Sequence, residues 1–169
     1  IPKRMRWGSS RDEFVRPVHW VVLLFGEDVI ATRILGVASG ATTFGHRFHH
    51  NQPIVLKQPV DYESLLENPG NVIADFDKRK ALVKTLVEKA AATTQTNVDV
   101  DDALLEEVTS LVEFPVALVG KFDEEFLEVP PEALVLAMKT HQKCFYVTDT
   151  DGKLLPRFIA VSNIRSKDP

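Results

Sequence analysis

Apolar positions recur along this chain with two different periods, and the change from one to the other falls at Asp75. Ahead of it, residues 16–25 are rich in valine and aromatic side chains, residues 26–28 offer a tight turn, and residues 29–37 alternate enough to pair back, which predicts a strand hairpin. Residues 39–45 are small and polar and read as a loop, followed by residues 46–50 and a further strand candidate at 54–57. Residues 62–66 predict a short helix stopped by Asn68, Pro69 and Gly70, with a short buried strand at 72–74. From Asp75, a plausible N-cap, the period becomes helical to about residue 91, with Leu82, Val83, Leu86, Val87 and Ala90 on one face and Lys78, Lys80, Lys84 and Lys89 on or near the other. A second helix over 102–112 is expected to bury Leu104, Leu105, Val108, Leu111 and Val112, and its acidic first turn suits the helix dipole. Pro115 forbids continuation, residues 116–119 read as a strand, and Pro130 and Pro131 start a third helix over 131–140. Residues 144–147, a turn at 149–152 and a returning strand at 154–162 complete the pattern.

The expected fold class is therefore α+β, a mixed and mostly antiparallel sheet with helices packed on it rather than a regular βα alternation. The 169 residues are 44% hydrophobic, enough for a real core in one domain spanning 1–169, or in two lobes, 1–74 strand-rich and 75–169 with the helices and terminal hairpin. A single cysteine, Cys144, excludes an internal disulfide framework and fits a reducing compartment, the cytoplasm. The longest apolar run, residues 18–25, is broken by His19 and is too short to span a bilayer, so no membrane partner is expected. Ile1 in place of an initiator methionine, and the SKDP end, suggest an internal piece of a longer protein.

Charge is unevenly spread. The chain carries −4 overall, yet residues 99–132 hold eleven acidic residues and one lysine, −10, while residues 3–16 and 139–168 each carry +3. If the ends converge, a basic surface for a polyanion would face away from an acidic one; two solvated charged faces are the plainer reading.

Chemistry-bearing clusters are few. His46, His49 and His50 have i, i+3, i+4 spacing that aligns imidazoles only on a helix, whereas Gly45 and Phe48 favour a loop or strand, so no metal is expected there. Thr42, Thr43, His46 and His141, with backbone donors near Gly40 and Gly45, are the parts a hydrolytic site would need, but no spacing demands their assembly. No GxxxxGK[ST] loop is present, which leaves an ATP site unsupported. Trp7, Trp20 and Phe44 could stack bases, Trp7 being expected as the most exposed.

The helix end at 137–143 runs AMKTHQK, with Leu134, Met138 and His141 on one helical face and Lys139, His141, Gln142 and Lys143 gathered where regularity breaks. Such an elbow presents side chains to a ligand, or merely caps the negative helix end. Together with PKRMRWG (2–8), FVRPVHWVVLLFG (14–26) and TTFGHRFHH (42–50), the THQKCF segment resembles the beta subunit of the bacterial two-subunit glycyl-tRNA synthetase, in the same order and across nearly the whole chain. That resemblance implies a fold similar to the tRNA-editing-type domain of the phenylalanyl-tRNA synthetase beta subunit. It implies partnership with an alpha subunit holding the glycine and ATP site, and with tRNA(Gly). ATP with magnesium would then be used by the whole enzyme, with no cofactor and no catalytic residue in this piece. The tRNA contacts it suggests are Lys3, Arg4, Arg6, Arg47, Lys139, His141, Gln142 and Lys143. Hydrolytic editing of mischarged tRNA and an interdomain scaffold are the other readings.

Overall fold

A computed structural model describes residues 3–166, so Pro2 of the first quoted segment and the terminal Lys167 and Asp168 lie outside the described residues. The chain divides into two compact units, Ile1–Val72 and Ile73–Pro169. The fold is α+β, with small and mostly antiparallel sheets.

The first unit is built from nine short strands: β1 (Met5–Arg6), β2 (Glu13–Phe14), β3 (Val21–Val22), β4 (Leu24–Phe25), β5 (Asp28–Val29), β6 (Arg33–Ile34), β7 (Val37–Gly40), β8 (Thr42–Phe44) and β9 (Pro53–Val55). It closes with the helix α1 (Tyr62–Glu67). The expected long hairpin breaks into two tight ones. In β4–β5, Phe25 opposes Asp28 across Gly26 and Glu27, and Gly26 at φ +60° occupies the first central position that a type II′ turn reserves for glycine. In β6–β7, Ile34 opposes Val37 across Leu35 (φ 50°) and Gly36 (φ 78°), two left-handed residues in succession as in a type I′ turn. A leucine gives no warning of that conformation, which is why residues 29–37 read as one strand. β3 pairs in parallel with β7, and β8 runs antiparallel to β9. Ile54, Leu56 and Leu66 are buried, a small apolar core for so many strands.

The second unit starts without the strand expected at 72–74. The carbonyls of Ile73 and Ala74 accept from the Arg79 guanidinium, which also donates to Thr109 O at 3.1 Å, so a side chain rather than a sheet neighbour satisfies these carbonyls, while Ile73 N–H donates to Glu113 O. The helix α2 (Phe76–Thr93) follows, capped by Asp75, whose carboxylate accepts from Lys78 N. After β10 (Asn97–Val98) comes α3 (Asp102–Leu111), capped in the same way by Asp101 on Leu104 N. Then come β11 (Val116–Lys121), α4 (Pro131–Leu136), β12 (Phe145–Thr148) and β13 (Leu154–Ser162). The four strands form an antiparallel sheet in the order β10-β12-β13-β11. Val83, Val87 and Ala91 of α2 and Leu104, Leu105 and Val108 of α3 share one core with Phe145, Val147 and Ile159 of the sheet. Each fully buried aliphatic side chain there contributes on the order of 1.5–3 kcal/mol. Leu111, expected inside, is 62% exposed: α3 ends at that residue, and extended Val112 takes the core position instead. Asn163 Oδ1 accepts from both Glu113 N and Phe114 N, tying the end of β13 to the exit of α3.

Candidate nucleic-acid interface

The elbow after α4 is a helix whose last turn widens. Over Ala137–Gln142 the backbone takes a π-type turn, Lys143 N–H and Cys144 N–H both donate to Met138 O, and Lys143 sits in the left-handed region at φ 54°, ψ 40°. Glycine fills that position at lower cost, so the lysine sits there against the backbone preference. The widening also rotates His141 away from Leu134 and Met138: Met138 is buried and His141 is exposed.

The cations of the elbow are already engaged. Lys139 Nζ donates to Asp101 Oδ2 at 2.9 Å, and Lys143 Nζ lies 2.8 Å from Glu107 Oε1 and 2.9 Å from Oε2. Both carboxylates lie in or beside α3, within the acidic stretch noted in the sequence, so its charge is partly neutralised within the unit. Lys80 likewise pairs with Asp102 and Glu106, at 2.9 and 3.0 Å. Asp101 serves twice, as helix cap and as ion-pair partner. Its pKa is held below the ordinary carboxylate value, first by the Leu104 N–H and then by Lys139. A depressed carboxylate stabilises the fold fully above its unfolded pKa of about 3.9, and the gain is lost as pH falls through the lower folded value. Asp101→Asn keeps a capping oxygen but removes the charge. It is expected to lower the urea midpoint at neutral pH, and the gap to the unaltered chain should close in acid below pH 4. A gap that stayed constant with pH would contradict the pairing.

His141 and Gln142 are exposed and complete the elbow. Lys3, Arg4 and Arg6 sit on or beside β1, exposed, with Arg4 3.7 Å from Glu13 across the β1–β2 pair. These three and Arg47 belong to the first unit and the elbow to the second. By charge the units differ as well: the first has eight basic against seven acidic residues, +1, and the second twelve against seventeen, −5.

Arg47 belongs to the turn of the first unit at residues 45–50. His46 is 1% exposed and acts as its internal cap: Nδ1 accepts from the backbone N–H groups of Phe48 and His49, at 3.2 and 3.3 Å, while His46 O accepts from His50 N at 2.8 Å. The His49 ring stacks on His46 at 4.5 Å. His46 N–H donates to Gly70 O at 2.7 Å, which pins the loop to the segment after α1. Gly45 and Gly70 permit the approach, since a Cβ on Gly45 would lie 2.6 Å from His50 O and 2.7 Å from Gly70 O. The outcome is a turn whose interior is fixed and whose tip projects Arg47, exposed, and Phe48, 66% exposed, with the guanidinium 5.8 Å from the Phe48 ring centroid. Among the described residues no carboxylate pairs with Arg47. A cation free to meet a phosphate beside an aromatic free to stack is the combination single-stranded or loop RNA requires. The sequence did not single out Phe48; the only sign of it was an aromatic between Arg47 and His49 in a glycine-led turn.

The other candidate chemistry is not gathered within either unit among the described residues. With Nδ1 given to backbone donors, His46 has one nitrogen left, Nε2, buried and without a hydrogen-bond partner; among the described residues no group of three or more His, Cys, Asp or Glu is placed to hold a metal. Thr43 Oγ1 accepts from Trp20 Nε1 at 3.2 Å, so it is not an activated nucleophile. A cavity of about 520 Å³ in the second unit is bounded by Phe122, Phe126, Leu134, Met138, Cys144 and Phe158, almost wholly apolar. The Phe158 ring on its wall lies over Gly120, where a Cβ would meet it. Burial pushes the Cys144 thiol pKa up, away from reactivity. Neither this cavity nor a second one, in the first unit, is lined by a histidine. Trp7 is partly buried; Trp20, at 44%, is the more accessible indole. No helix among the described residues is long and apolar enough to cross a membrane.

A family model described as "Glycyl-tRNA synthetase beta subunit" matches residues 1–169. The glycine–tRNA ligase beta subunit of Hahella chejuensis is 56% identical over 169 residues, covering 100% of this chain and 24% of that protein. Those of Coxiella burnetii and Psychromonas ingrahamii are 50% identical over 168 residues and 53% over 169, covering 99% and 100% of this chain. The chain spans about a quarter of the length of these curated relatives.

Proposed function

This chain belongs to the glycyl-tRNA synthetase beta-subunit family, and from that premise we propose that it contributes tRNA contacts, without chemistry of its own, to ATP-dependent synthesis of glycyl-tRNA in the cytoplasm. On this reading an alpha subunit supplies the glycine and ATP-magnesium site, tRNA(Gly) is the shared ligand, and kinship with editing-type synthetase domains lies in fold rather than in hydrolysis. The observation that carries the proposal is the 45–50 turn: its buried imidazole and two closely approached glycines hold Arg47 and Phe48 outward, where packing gains nothing from them. Lys3, Arg4 and Arg6 would add phosphate contacts, and His141 and Gln142 would offer groups to sugar or base edges. Lys139 and Lys143 can reach a phosphate only by leaving Asp101 and Glu107, so their share is the smaller one.

Binding of tRNA(Gly) to this chain, titrated from low to moderate salt, tests it. Arg47→Ala should flatten the log–log salt dependence by about 0.7–0.9 of a unit, the loss of one phosphate contact. Phe48→Ala should weaken binding by about 1–3 kcal/mol with the slope unchanged, as expected for a lost stack. Lys143→Ala should alter both less. Unchanged affinity and slope in Arg47→Ala and Phe48→Ala would reject the surface.

A further inference from the structure

The first unit carries a second feature that the 45–50 turn does not use. A cavity of about 500 Å³ is lined by Trp20, Val22, Thr43, Leu56, Pro59 and Tyr62. Two large aromatic side chains are half-exposed around this one concavity, Trp20 at 44% and Tyr62 at 41%. Aromatic side chains beside a pocket normally sink into it, because each buries a large apolar area when it does.

Trp20 is held where it is. Its ring packs on Phe44 at 4.8 Å between centroids, tilted by 55°, and its Nε1–H donates to Thr43 Oγ1 at 3.2 Å. Tyr62 is held by its place at the start of α1, which continues the short turn Pro59–Asp61. Thr43 is 4% exposed. Its oxygen accepts from the indole, and its hydroxyl proton has no acceptor among the described residues, so a buried donor remains at the cavity wall. The cavity in the second unit differs, being almost wholly apolar and flanked by phenylalanines. Planar aromatic faces combined with a buried hydroxyl donor match a flat heteroaromatic ring with acceptor atoms on its edge better than they match an aliphatic group.

We propose that this cavity receives an unpaired nucleobase of RNA, stacked on Trp20 and Tyr62 with an edge acceptor meeting the Thr43 hydroxyl. The assignment rests on the tRNA reading above and adds a base-contacting subsite to it. A stacked base exposes no charge, so the subsite contributes affinity that salt does not screen, unlike Arg47.

Fluorescence separates the two. In a Trp7→Phe background Trp20 is the single indole. Titration with tRNA(Gly), and with a single-stranded oligoribonucleotide, should quench it, whereas an abasic strand of the same length and charge should not. Tyr62→Leu should weaken the quenching transition about five- to hundredfold, the span that stacking of one base covers. Tyr62→Phe, which keeps the ring, should restore it. If tRNA binds with Arg47-dependent affinity while Trp20 emission is unmoved and Tyr62→Leu binds normally, the subsite is wrong and the tRNA reading stands. Equal quenching by the abasic strand would also overturn it. If no RNA binds at all, the tRNA reading fails and the subsite with it.

Discussion

Gly45→Ala is expected to destabilise the first unit by about 3 kcal/mol, at the upper end of what a methyl forced into packed structure costs. The new Cβ would stand 2.6 Å from His50 O, 2.7 Å from Gly70 O and 2.9 Å from Gly70 Cα, all backbone atoms that no rotamer can move aside. The same substitution at Gly40, in the same unit, meets nothing within 4 Å and serves as the control. Because Gly45 N–H and His46 N–H anchor the turn to Gln52 O and Gly70 O, the substitution also displaces Arg47 and Phe48, so tRNA affinity should fall together with stability. Urea denaturation of the two variants reads the first effect. Equal midpoints for Gly45→Ala and Gly40→Ala would mean the close approach is not a constraint.

Phe145→Ala should cost the second unit about 3–5 kcal/mol. Its ring is fully buried, 0% exposed, and is the largest side chain of the core shared by α2, α3 and the sheet. It pairs with Ile159 across β12–β13 and begins the strand directly after the elbow, so loosening it is expected to free Lys143 from Glu107 as well. The outcome is a lower denaturation midpoint, or loss of the cooperative transition in that unit. A loss below about 1 kcal/mol would show that the sheet and helices do not share one core.

Much of the second unit was legible because its signals are local and agree with one another. Asp75 caps the helix it precedes, the acidic start of α3 falls where the sequence places it, Pro131 starts α4, and β13 runs over the stretch that follows the turn. What escaped there depends on partners distant in the chain: Arg79 takes the carbonyls of Ile73 and Ala74, and the acidic stretch around α3 receives Lys80, Lys139 and Lys143. A run of carboxylates looks like a solvated face until its counter-charges are placed. The first unit was read less well because its strands are two to four residues long, too short for a period to establish itself, and because one of its turns uses a leucine at positive φ.

The candidate site divides along the same line. The elbow was visible as a break in the helix pattern, but not that its lysines are spoken for. The 45–50 turn was visible as GHRFHH, but the roles of its members depend on where each one points. His46 is in sequence only one possible part of a hydrolytic site and is a buried cap in the fold; Phe48 reads as a sign of loop or strand and is the exposed member.

The most direct measurement places a photoreactive group at that tip. Phe48→p-benzoylphenylalanine in this chain, irradiated with tRNA(Gly), is predicted to give a covalent adduct mapped to an unpaired region of the RNA. The same substitution at Leu111, 62% exposed on the acidic unit, should give little. No adduct from position 48, or equal yields from both positions, would contradict the claim that this turn meets tRNA.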